Sequence, residues 1–121
     1  MKVIKIPIEI AEPCTVHDVN QDNCLNEIKE LLNIEWAEIV VTHIRSKDLH
    51  RDFCLIVDEV GKLKENCRVN FRASMFYAGT PHGDPIVGNV ILCAREWTDS
   101  FGECDLAGLE GHEIEQIMQY L

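Results

Sequence analysis

Six cysteines and five histidines in 121 residues are enough to build a metal centre or an activated thiol, and their spacing decides what they can do. The tightest pairing is Cys14-x-x-His17, with Cys24 beyond it and Cys104 or His112 as distant fourth partners. Structural zinc sites use two such pairs, each with its ligands a few residues apart. One pair is present here and no second. Cys14, His17 and Cys24 therefore read as loop residues ahead of a helix, and no metal or other cofactor is assigned. A zinc-stabilised loop through these three is the alternative. Covalent catalysis needs a thiol or hydroxyl with a base beside it. Cys93 and His82 come nearest, since the loop carrying His82 leads into the strand carrying Cys93. Cys93 lies among Ile91, Leu92 and Ala94, however, and a buried strand thiol is inert. Ser74 and Ser100 lack the glycine-serine-glycine elbow. Asp58 and Glu59 point to opposite faces of a strand, so they cannot act as an acid/base pair. Gly108 and Gly111 have no cation nearby to hold a phosphate. No catalytic residue is assigned.

What remains is charge. The chain carries 21 acids and 11 bases, a formal net charge of −10. Residues 45–72 hold seven bases against five acids, whereas residues 96–121 hold seven acids and no base. Such a surface repels the phosphate backbone, which disfavours direct nucleic-acid binding. One reading is solubility alone. The other is an acidic face of Glu96, Asp99, Glu103, Asp105, Glu110, Glu113 and Glu115 that docks on a basic surface of a partner. Lys62, Lys64, Arg68 and Arg72 cluster within the basic stretch. They either pair with the acids of the C-terminal stretch or form a local anion site, with Arg68, Arg72 and His82 beside the loop 81–85. Trp36 and Trp97 read as core or rim packing.

The elements that position these residues follow from periodicity. Val3 and Ile4 begin a first strand, which Pro7 makes an edge or ends early. Residues 12–23 are polar and punctuated by Pro13, Asp18, Asn20 and Asn23, which predicts a loop with Asn23 as N-cap. Leu25, Ile28, Leu31 and Leu32 recur at helical spacing, and Asn33 can end that helix. Residues 36–44 are a β-branched second strand, 45–52 a turn and 53–60 a third strand closed by Gly61, the two forming an antiparallel hairpin. Phe71, Ser74, Met75 and Ala78 predict a short helix within 70–78. Residues 79–85 are an exposed loop, and 86–94 a fourth strand in which Gly88 marks a bulge or close approach. Residues 99–111 read as irregular, and Ile114, Ile117, Met118 and Leu121 as a closing amphipathic helix. The order β-α-β-β-α-β-α gives one α+β domain over 1–121, with a mostly antiparallel four-stranded sheet and two or three short helices.

Hydrophobic residues make up 46% of the chain, enough for a core without disulfide staples. No apolar run approaches the roughly 20 residues of a membrane span, and Pro7 and Glu9 interrupt the N-terminal stretch where an export signal would be continuous. The expectation is a cytoplasmic chain with reduced thiols, Cys54 and Cys93 acting as small hydrophobes.

Three segments carry a resemblance: Val57-Asp58-Glu59-Val60-Gly61-Lys62-Leu63, Asn70-Phe71-Arg72-Ala73-Ser74 and Asp84-Pro85-Ile86-Val87-Gly88-Asn89-Val90. Together they resemble domain-of-unknown-function family 3846, best over residues 53–121. The chain departs from that pattern in the Cys- and His-containing loop at 12–23 and around 97–104. The resemblance implies a bacterial, phage or plasmid setting and carries over no catalytic residue. The combined expectation is a non-enzymatic, mobile-element-type accessory protein. It would bind a host protein through its acidic surface, for instance as an inhibitor of a nucleic-acid-binding defence protein. The alternative is a small-ligand or nucleotide-binding domain using Arg68, Arg72 and His82.

Overall fold

Every residue of Phe53–Val57 and Val90–Ala94 is buried, so neither run has a face left for solvent. Such strands must lie mid-sheet with both faces covered, and the rest of the fold supplies the covers. The computed structural model describes residues 1–48, 50–77, 85–97 and 104–121. Its strands are β1 (Lys2–Ile6), β2 (Thr15–Asp18), β3 (Ala37–Arg45), β4 (Arg51–Asp58), β5 (Val90–Trp97) and β6 (Cys104–Ala107). The helices are α1 (Cys24–Leu32), α2 (Phe71–Ser74) and α3 (Gly111–Met118), with 3-10 turns at Gln21–Asn23 and Gly61–Leu63. Strand order is β2-β1-β5-β4-β3, and all pairs are antiparallel. β6 pairs with Ala94–Trp97 of β5, whose start pairs with β1, so β1 and β6 share one side of β5.

Alternation along the strands builds two cores. Ile4, Phe53, Leu55, Val57, Val90 and Leu92 pack with Ala73 and Phe76 at α2 and Ile117 of α3. Val3, Cys54, Ile56, Ile91 and Cys93 face the other way and pack under Ile28 and Leu32 of α1. The class is α+β with an antiparallel sheet, but among the described residues six strands replace the four expected. β2 falls in the predicted loop 12–23 and β6 in the irregular stretch 99–111. Both are four-residue strands at the sheet margin. β5 starts at Val90 and runs to Trp97, later than the 86–94 expected.

Local chemistry sets the boundaries. β1 stops at Ile6, before Pro7, yet lies between β2 and β5, so the proline ends the strand and marks no edge. Asn23 stands at the N-cap position of α1, but its Oδ1 accepts from Asn26 Nδ2 at 2.8 Å and not from the backbone. Capping falls to Asn20, whose Oδ1 accepts from Asp22 N at 2.9 Å at the start of the 3-10 turn. Asn33 ends α1 in the left-handed region at φ 54°, ψ 51°. Gly88 has φ +80°, and a Cβ built there would meet nothing within 4 Å. Its glycine therefore serves conformation, not the close approach that its sequence position also allowed. Gly88→Ala is expected to lower the unfolding free energy in urea by about 1–2 kcal/mol through backbone strain alone.

Candidate functional site

The placement of the cations decides which carboxylates remain free to meet another molecule. Arg51 and Glu113 have side chains 7% and 2% exposed and pair at 2.7 Å, Nη2 to Oε1. Glu113 also accepts from Ser46 Oγ at 3.1 Å and from the backbone N of Glu110 at 2.9 Å. Burial pushes its carboxyl up, but hydrogen bonds from Arg51 and Glu110 and the charge of Arg51 outweigh this and hold it below the usual carboxylate range. Glu113 therefore leaves the proposed acidic face: it is an internal strut joining α3 to β4. Glu96 gives its Oε1 to Arg51 Nη1 at 2.5 Å. Glu110 forms a capping box with Glu113 and lies 3.5 Å from His112 Nδ1. Asp105 and Glu115 are exposed. Asp99 and Glu103 lie outside the described residues. The tail thus has Glu113 turned inward and Glu96 paired with an arginine, so fewer of its described carboxylates face outward than its composition suggests.

The cation cluster is corrected as well. Lys64 pairs with Asp58 at 2.5 Å, and Arg68 pairs with Glu9, whose carboxyl it holds below its ordinary range. Arg72 donates from Nη2 to the carbonyls of Pro7 and Glu9, each at 2.8 Å. These three partners come from the first strand's exit and the end of β4, not from residues 96–121. Arg72 is a backbone clamp. Arg68 borders a cavity of about 310 Å³ with Ile8, Leu32, Ile34, Val87 and Asn89. His82 lies outside the described residues.

Free carboxylates collect instead around α1. A groove of about 270 Å³ between β2 and α1 is lined by His17, Asp18, Val19, Glu27, Glu30 and Leu31. Lys2, and after it the amino group of Met1, bond Asp18 and lower its pKa. Asp22, Glu30 and Glu35 are exposed, and among the described residues no ion pair engages them. At the opposite edge of the sheet from β2, β3 carries apolar surface. Ile39 and Val41 stand opposite Ile56 and Cys54, hence on the α1 side of the sheet, yet remain 45% and 43% exposed. Trp36 is 60% exposed. Trp97 is a rim residue stacked under the Arg95 guanidinium at 5.1 Å, and Arg95 bonds Asp52. The set of outward carboxylates without an ion pair around α1 is what a basic partner would meet. The tail's acid count concealed it, because residues 20–38 are less acidic in composition than 96–121.

Cys14, His17 and Cys24 do not converge. Cys14 packs against the α2/α3 core and Cys24 against the α1 core on the opposite sheet face. The His17 ring bonds Thr15 Oγ1 at 2.7 Å. Among the described residues, no three His, Cys, Asp or Glu side chains come together as a metal site. Also among them, no helix is long and apolar enough to cross a membrane. No protein-family model, curated protein or solved structure matches this chain.

Proposed function

We propose that the protein is a non-enzymatic accessory domain of phage or mobile-element type that acts in the cytoplasm by binding a basic surface of a host protein. The likeness of residues 53–121 to family 3846 enters this reading as part of the proposal. One observation carries it: Lys2, Arg51, Lys64, Arg68 and Arg95 are committed to internal acids and Arg72 to carbonyls. The carboxylates of Asp22, Glu30 and Glu35 are left to face outward. An acidic face of this kind would steer the chain toward a basic groove, such as one that ordinarily holds nucleic acid in a defence nuclease.

Association is expected to weaken by at least tenfold between about 0.05 and 0.3 M salt, as screening shortens the reach of surface charge. Binding with no salt dependence in a titration would contradict this. A second reading is a small-ligand site in the cavity that Ile8, Leu32, Ile34 and Val87 line, with Arg68 at its border. Thermal-shift screening against nucleotides separates the two. A ligand at a hundred times its dissociation constant adds about 2.7 kcal/mol to stability, and a host protein's binding surface would give no such shift.

A further inference from the structure

Cys54 and Cys93 stand directly opposite each other on β4 and β5, with their sulfurs 3.6 Å apart and both residues fully buried. Directly opposed residues of an antiparallel pair have Cα atoms about 4.5–5.5 Å apart, inside the range of about 4.4–6.8 Å that a disulfide spans. Closing the bond therefore asks for side-chain rotation and no movement of the strands. The two thiols lie under α1. Cys24, at the first position of that helix, is only half-buried and packs against the same core. Cys14 packs on the other sheet face, and Cys67 is exposed on the loop after the 3-10 turn at 61–63.

We propose that Cys54 and Cys93 are an oxidisable dithiol that closes to a cross-strand disulfide when a peroxide reacts at Cys24. Cys24 thiolate attacks the peroxide: its S–O bond forms, the O–O bond breaks, and the hydroxide released takes the proton Cys24 gave up and leaves as one water, giving the sulfenic acid. Cys93 thiolate then attacks the Cys24 sulfur and expels hydroxide, which takes the proton Cys93 gave up and leaves as a second water. Cys54 thiolate attacks Cys93 sulfur, releasing Cys24 as a thiolate and leaving the Cys54–Cys93 bond. In sum, two thiols lose two hydrogens and one hydrogen peroxide becomes two waters. Cys54 and Cys93 are shut off from solvent, whereas Cys24 on the same core is only half-buried, which makes Cys24 the way in for a peroxide.

The test treats the full chain with hydrogen peroxide and reads intact mass together with a non-reducing peptide map. The expected result is loss of two hydrogens and a linked pair of peptides containing Cys54 and Cys93. Cys24→Ser should slow that linkage by at least about tenfold, and Cys54→Ser should stop at a Cys24–Cys93 link. Oxygen adducts on Cys67 with no Cys54–Cys93 linkage in the unmodified sequence would overturn the proposal. A Cys24→Ser protein that links Cys54 to Cys93 at the original rate would overturn the role of Cys24. The wild-type map requires no variant to fold.

Discussion

Glu113→Gln is expected to lower the unfolding free energy by about 3 kcal/mol, the cost of leaving a buried guanidinium without its main counter-charge. Arg51 would keep Glu96 and the carbonyl of Gly108, to which it donates at 2.8 Å, so the loss stays at the lower end for a broken buried pair. Replacing both partners by apolar residues, Arg51→Met with Glu113→Leu, should recover much of it, because no charge is then stranded. Urea titration of the single and double variants measures both values. The same pair sets a pH dependence. The folded carboxyl of Glu113 titrates below its unfolded value, so its contribution is complete above the ordinary glutamate range near pH 4.3. It is lost as pH falls through the lowered folded value, and Glu113→Gln should flatten that part of the acid limb. A Gln variant as stable as the parent at pH 7 would mean the pair does not hold α3 to the sheet.

Asn70→Ala is expected to cost about 3–4 kcal/mol, because one fully buried amide serves three backbone groups. Its Nδ2 donates to the carbonyls of Ile6 and Gly88, both at 2.9 Å, and its Oδ1 accepts from Ala73 N at 3.0 Å. These bonds tie the end of β1, the approach to β5 and the start of α2 at one point. Asn70→Asp keeps the cap acceptor but cannot donate and adds a buried charge, so it should not rescue the alanine variant. Denaturation midpoints of the two variants check this. Equal stability of the aspartate variant and the parent would refute the donor role.

Much of this frame was legible from residue spacing. β3, β4, α1 and α3 follow the apolar periodicity of residues 24–60 and 111–121, since burial of a stripe or face is what that periodicity encodes. β2 and β6 escaped because Thr15-Val16-His17-Asp18 and Cys104-Asp105-Leu106-Ala107 are short marginal strands whose pairing rests on backbone bonds and only partly on buried side chains. Asn70 caps the start of α2, and Ala73 N donates to it in a fully buried position. The acidic tail misled because charge counts carry no direction. Glu113 lies four residues before Ile117 and eight before Leu121, on the stripe that packs inward. That spacing, together with Arg51 heading a buried strand, was the available signal of a buried pair. The carboxylates around α1 look ordinary in sequence, because composition does not show which acids the fold pairs with a cation and which it leaves outward.

The central claim is that carboxylates around α1, rather than those of the tail, present this protein to a basic partner. The most direct measurement compares capture of host-lysate proteins, at low salt, by the parent chain, by an Asp22→Lys/Glu30→Lys/Glu35→Lys variant and by an Asp105→Lys/Glu115→Lys variant. The account predicts that the α1 variant loses the proteins the parent retains, while the tail variant keeps them. Retention by the α1 variant of everything the parent captures, with the folded state intact by circular dichroism, would contradict it.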